Sequence, residues 1–194
     1  MIQGGFDKSK MHTLCNFIDV EKCEEADYLK KDYYCYIGRI SHEKGIKTLI
    51  AAANRLPHKL VIIGKGPLDA EMKKLAGPNV EFAGFKQWNE IKRIVGQARF
   101  CVIPSECYEN NPLSVIESQC LGTPVLGAQI GGIPELIQEG CNGLHFRSRD
   151  TDDMTAKIQA MYDAPFDYPS IALEAKKRYN SETYYKQLIQ LYNL

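Results

Sequence analysis

Glu109 and Glu117 stand eight positions apart in the stretch PSECYENNPLSVIE, residues 104–117, directly after an apolar run. A carboxylate accepts hydrogen bonds from adjacent hydroxyls, so an acidic side chain near a helix start suits the hydroxyl pair of a ribose. A helix beginning near Pro112, capped by Asn111, would carry Glu117 about 7 Å along its axis, and helical side chains lean back toward the N-terminus. Glu109 would stay in the loop ahead of that helix, nearer whatever lies beyond the phosphates. The backbone amides of Asn110, Asn111, Leu113 and Ser114 would face an anion between the glutamates, Pro112 having no N–H to offer. Taken alone, two solvated glutamates explain the spacing more simply.

Three other stretches carry related signals. In IGRISHEKG, 37–45, a strand ends at Gly38, Ser41 can cap the next helix, and Arg39 and Lys44 flank the helix start, where free N–H groups already favour an anion. Two cations at that point suit a diphosphate, Arg as a planar fork and Lys as a point charge. A surface Arg and Lys on a capped helix is the plainer alternative. In IIGKGPL, 62–68, glycines flank Lys65 and let backbone approach a ligand closely at Gly64, yet the pattern is neither a Walker A loop nor a G-x-G-x-x-G fingerprint. In IGGIPELI, 130–137, paired glycines precede a proline-initiated turn. A strand-to-helix turn accounts for each of these last two as well as a ligand does. Together, four such loops at one end of one sheet favour a nucleotide-diphosphate site.

The elements that must position them follow from the apolar pattern. Runs at 33–38, 59–64, 79–84, 99–105 and 123–128 read as strands, several of them apolar on both alternations, as parallel strands covered on both faces are. Ile46, Leu49, Ile50, Ala53 and Leu56 recur at helix spacing, as do Trp88, Ile91, Val95 and Ala98, and a third helix should run from Pro112 to a stop at Gly122. The alternation predicts an open, doubly wound α/β fold, Rossmann-like, with ligands outside the carboxyl ends of the strands. After residue 148 only helices are expected: Asp150 to Met161, Ser170 to Tyr179, and Ser181 to the end. The last bears a stripe of Tyr184, Tyr185, Leu188, Ile189 and Tyr192, suited to packing on this domain's own sheet or to covering another domain. At the other end, a strand at 11–18 and the charged run 19–32 read as an entry linker.

Of the 194 residues, 44% are hydrophobic and 25% charged, enough for one globular domain with its own core. Lys and Arg number 24 and Asp and Glu 24, without a block of one sign, which argues against nucleic acid as a partner. Cysteines at 15, 23, 35, 101, 107, 120 and 141 form no C-x-x-C pair and read as reduced core thiols of a cytoplasmic protein. No apolar run of about 20 residues suggests a membrane span. Peripheral contact with the inner face of a membrane stays open.

In this order, GRISHEKG, IIGKGPL, PSECYENNPLSVIE and LGTPVLGAQIGGIPELIQEGCNGL resemble the C-terminal, donor-binding domain of glycosyltransferase family 4, the large retaining family of GT-B fold. The resemblance covers residues 15–194. It implies the C-terminal half of a GT-B fold with a helical tail, residues 31–194 being the nucleotide-sugar-binding domain and 1–30 an interdomain linker with a remnant of the N-terminal domain. CNFID, 15–19, matches the usual Asn-Gly-x-Asp of that linker, with Phe17 in place of glycine.

By this resemblance Arg39 and Lys44 hold the donor diphosphate and stabilise the leaving nucleotide, Glu117 binds ribose, and Glu109 contacts the donor sugar and supports the reaction. Gly38, Gly64 and Lys65 border the donor, and the base is read around Gly84, Phe85 and Lys86. Asn110, Asn111, Leu113 and Ser114 replace a Gly-Phe-Gly-Leu type segment, which leaves the sugar contacts open. The resemblance implies a nucleotide diphosphate sugar as donor substrate, no metal and no other cofactor, and a glycan or lipid-linked sugar as acceptor. It also implies a missing N-terminal acceptor domain, so that the chain is an excised domain or truncated product that binds nucleotide without transferring sugar. The alternatives are a GT-B sugar-nucleotide epimerase and a non-catalytic binding module.

Overall fold

The computed structural model describes residues 5, 7–23 and 28–192. Part of the linker assigned to 1–30, including residues 24–27 of its charged run, and residues 193–194, where the final helix was expected to continue, lie outside the described residues. Six strands build a single sheet, every neighbouring pair parallel: β1 Tyr33–Ile37, β2 Lys59–Ile63, β3 Val80–Gly84, β4 Cys101–Ile103, β5 Val125–Ala128 and β6 Gly143–Phe146. Their spatial order is β3-β2-β1-β4-β5-β6. The order reverses between β1 and β4, where Cys35 lies opposite Cys101. In open α/β sheets a crevice opens outside the strands' carboxyl ends at such a point.

The strands form where apolar side chains can be covered on both faces. Leu60 to Ile63, Cys101 to Ile103 and Val125 to Ala128 are buried throughout. Between them run α1 Ile46–Ala53, α2 Asp69–Leu75, α3 Trp88–Gln97, α4 Leu113–Cys120 and the single turn α5 Ile133–Leu136. In α1, Ile46, Leu49, Ile50 and Ala53 are the buried stripe, as their spacing predicts. A capping box joins Gln87 and Glu90 at the start of α3. Three helices follow: α6 Thr151–Asp163, α7 Tyr168–Tyr179 and α8 Ser181–Tyr192. Asp150 and Asp167 cap the first two by accepting from the N–H groups of Asp153 and Ser170. Among the described residues no helix is long and apolar enough to cross a membrane.

Several sequence expectations need correction. The stretch 11–18 makes no ladder; its backbone bonds elsewhere, Ile18 N–H donating to Tyr179 O at 3.0 Å. Ser41 does not cap a helix: its hydroxyl turns to Glu43, 2.6 Å away, and a short 3-10 turn His42–Lys44 precedes α1. Pro112, with φ −68° and ψ 120°, takes the N-cap place of α4 that Asn111 was expected to fill. The α8 stripe does not pack on the sheet: no α8 side chain is buried, Tyr185 and Tyr192 are 62% and 78% exposed, and only Tyr184 finds a ring, that of Phe17. The cysteines are not all core thiols, since Cys141 is exposed and Cys15 and Cys107 are half-buried. Two elements were missed. In β6, Gly-Leu-His-Phe lacks the β-branched residues that mark a strand, and α2 buries only Met72.

Candidate functional site

The loops leaving β1 and β4 meet at the switch point. From β1 the chain passes Gly38 to Arg39, where the Tyr36 hydroxyl donates to Arg39 O at 2.7 Å and so fixes the turn. Arg39 is exposed and makes no ion pair among the described residues. Lys44, at the end of the 3-10 turn, reaches across to the Glu109 carboxylate. The same Glu109 oxygen accepts from the buried Ser105 hydroxyl at 2.9 Å. Glu109 is thereby held by a cation from the β1 loop and a hydroxyl from the end of β4.

Backbone contacts set the neighbouring loops. Gly64 has φ +136°, and a Cβ there would sit 1.9 Å from Gly38 O, so the β2 loop can lie against the β1 loop only with glycine at that place. Ile40 N–H donates to Lys65 O, and Leu68 N–H to Ile40 O, both at 3.2 Å. On the other flank Gly132 N–H donates to Glu109 O at 2.7 Å, and a Cβ on Gly132 would meet Asn110 O at 1.8 Å. The paired glycines of 131–132 therefore serve close packing against the glutamate loop.

Two adjoining clefts, each of about 240 Å³, share Ile37, Gly38 and Arg39. One is lined by Gly38, Arg39, Lys44, Glu109, Ser114 and Glu117, with Tyr36 and Ser105 behind them. Gly64, Lys65, Phe85 and Lys86 line the other, beside Ile63 and Ile91. Phe85 is 66% exposed at its rim, and Lys86 pairs with Glu90 at 2.9 Å. Larger hollows lie between residues 13–16 and α8, about 710 Å³, and beside α7, about 450 Å³. Neither gathers cations and carboxylates at the sheet's switch point.

Glu117, one turn into α4, is half-buried, and burial pushes its carboxyl above the ordinary range. No described residue donates a hydrogen bond to it. The N–H groups of Leu113 and Ser114, at the head of α4, cannot bond within the helix and have no other acceptor among the described residues. Asn110, Asn111 and Leu113 do not line either cleft: Asn110 and Leu113 are exposed, and the Asn111 side chain turns to Asn16. Sequence reasoning missed Ser105 and Tyr36. Ser105 directly follows a strand and stands four residues before Glu109, a spacing that could have marked it. Tyr36 read as core. Chemically, the clefts can hold an anion at Arg39, donors such as hydroxyls at Glu117, and a flat apolar group beside Ile63, Ile91 and Phe85.

The model of the family described as glycosyl transferases group 1 matches residues 18–184. Sulfoquinovosyl transferase SQD2 of Arabidopsis thaliana is 33% identical over 137 residues, covering 68% of this chain and 27% of that protein. Amylovoran biosynthesis glycosyltransferase AmsK of Erwinia amylovora is 26% identical over 174 residues, 80% of this chain and 43% of its own length. The chain thus spans less than half of either relative. Among solved structures, Anabaena Alr3699/HepE in complex with UDP superposes with a TM-score of 0.86 at 19% identity, covering all of this chain and 60% of that one.

Proposed function

This chain belongs to the glycosyl transferases group 1 family, and on that footing we propose that it is the donor-binding domain of a retaining glycosyltransferase of the family 4 kind. In this reading a nucleotide diphosphate sugar lies across the two clefts. Its diphosphate meets Arg39, Lys44 and the Leu113 and Ser114 amides; its ribose hydroxyls donate to Glu117; its base rests beside Phe85, Lys65 and Lys86; and its sugar reaches Glu109. The observation that carries the reading is the meeting of Arg39, Lys44, Glu109 and Glu117 in one cleft at the switch point between β1 and β4. The structurally similar HepE has been solved in complex with UDP, which supports a nucleotide as the ligand.

Breaking the sugar–diphosphate bond leaves negative charge on the diphosphate. Fixed cations and helix-start amides already aimed at that charge lower the barrier electrostatically, so the reaction we propose needs no metal. The acceptor, a glycan or lipid-linked sugar, would be held by a second body, a role supported by the uncovered aromatic face of α8. By itself the chain would then bind donor without transferring it, and detection of transfer by this chain alone would disprove that part. Titration calorimetry with UDP, GDP, ADP and their sugar conjugates tests the site. One nucleotide should bind, and Arg39→Ala and Glu117→Ala should each weaken it while the fold survives. Unchanged affinity in both variants would sink the assignment.

A further inference from the structure

Three consecutive residues, 16 to 18, reach three different parts of the domain. Asn16 bonds twice to Asn111: its N–H donates to Asn111 Oδ1 at 2.9 Å and its Nδ2 donates to Asn111 O at 3.0 Å. The Phe17 ring lies 4.6 Å from that of Tyr184 on α8. Ile18 N–H donates to Tyr179 O, at the end of α7. The first contact falls between the two glutamates of the cleft, and the other two fall on the C-terminal helices.

Asn111 needs such a grip. The residue after it is Pro112, which has no N–H and confines Asn111 to extended backbone, so α4 does not begin until Leu113. On the far side of the loop, Glu109 O is fixed by Gly132 N–H. The turn from Glu109 to Pro112 is therefore pinned at one end by Gly132 and at the other by Asn16. We propose that Asn16 is a positioning residue for the donor sugar. By holding the carboxamide and carbonyl of Asn111 it sets the turn that carries Glu109, and it makes that setting depend on how residues 16–18 sit against α7 and α8. This inference rests on the donor-site reading above.

The test uses the whole chain and two pairs of probes, UDP with UDP-glucose and GDP with GDP-mannose, in titration calorimetry on wild type, Asn16→Ala, Asn111→Ala and the double variant. Both single substitutions keep the backbone amides, and Asn16 is exposed and Asn111 half-buried. With the pair that wild type binds, each single variant should lower affinity for the sugar conjugate roughly three- to tenfold, the scale of one or two lost hydrogen bonds. Affinity for the bare nucleotide diphosphate should fall less than affinity for the sugar conjugate, because Arg39 and Glu117 stand outside the turn. Each single variant removes one of the two bonds, Asn16→Ala the one to Asn111 O and Asn111→Ala the one to Asn111 Oδ1, so the double variant, which loses both, should be weaker than either. Equal losses for both probes, a double variant no weaker than the single ones, or an unchanged sugar conjugate would overturn the proposal. If neither pair binds, ADP with ADP-glucose takes their place, and wild type that binds none of the three nucleotides would overturn the donor site itself, and the proposal with it.

Discussion

Glu117→Gln changes charge with little change of shape, and two readouts should move in opposite directions. In the fold, burial raises the Glu117 carboxyl above its ordinary value of 4.5, and nothing described donates to it. A carboxyl raised in the folded state favours its protonated form. Its contribution to stability is fullest below the ordinary value and is lost as pH rises through the folded one. At pH 7 wild type therefore holds an uncompensated charge in a half-buried place, which Gln lacks. Glu43, Glu90, Glu139 and Glu182 are held below their ordinary values, with a side-chain hydrogen bond as the leading cause in each, and tilt stability the other way. The difference between variant and wild type at each pH cancels them. In urea unfolding the variant's advantage should be small at pH 4 and larger at pH 7. Donor binding should fall: losing a carboxylate that accepts from two ribose hydroxyls costs about 2–3 kcal/mol, or roughly a 30- to 150-fold weaker Kd by calorimetry. A stability difference that does not grow with pH would refute the burial argument, and an unchanged Kd would refute the ribose assignment.

Other substitutions probe the loops around that carboxylate. Gly132→Ala places a Cβ 1.8 Å from Asn110 O at an ordinary φ of −89°, so its cost is steric, about 1–3 kcal/mol in chemical denaturation, and it should also displace Glu109; wild-type stability would show that the loops separate freely. Tyr36→Phe removes the hydrogen bond to Arg39 O and should lower stability by about 1 kcal/mol, with nucleotide affinity falling as the Arg39 turn loosens; no change in either measurement would make Tyr36 a packing residue alone. Lys44→Ala takes the cation from both Glu109 and the proposed diphosphate, and should weaken nucleotide binding about tenfold or more in calorimetry, the scale of one charge-assisted contact; a smaller loss would place the diphosphate away from Lys44.

How much of this could be read from the sequence varies with the range of the interaction. Five of the six strands and the four loops were legible because glycine and proline punctuate the chain where apolar runs end, and Arg39, Lys44, Glu109 and Glu117 stand beside that punctuation. The fates of Ser41 and Asn111 were not. Both had the chemistry of a helix cap, but a nearer or better-placed partner won, Glu43 for the first and Asn16 for the second. The Asn16 contact joins residues 95 apart and leaves no trace in local periodicity. Tyr36 and Ser105 were hidden for another reason: each sits in or beside a buried strand, where an aromatic or a small polar residue reads as packing. The stripe on α8 was legible as apolar, while what it packs against depends on the angle at which α7 hands the chain to α8.

The charges of the cleft are partly satisfied within the protein and partly left for a ligand. Lys44 and Glu109 satisfy each other, with Ser105 adding a second donor to the same carboxylate oxygen. Arg39, on the turn after β1, and Glu117, on the second turn of α4, line the same cleft without pairing. One unspent cation and one unspent acceptor are thus left at separate places, and a ligand that carries an anion and a hydroxyl pair on one framework answers both at once. On the proposed reading Lys44 lies where sugar and diphosphate join. Before transfer it restrains Glu109; as the bond breaks, negative charge grows on the diphosphate beside it and competes for the same ammonium. The cation would then shift toward the leaving group just as Glu109 is wanted at the sugar, so that its contact with the diphosphate would be stronger in the transition state than in the ground state.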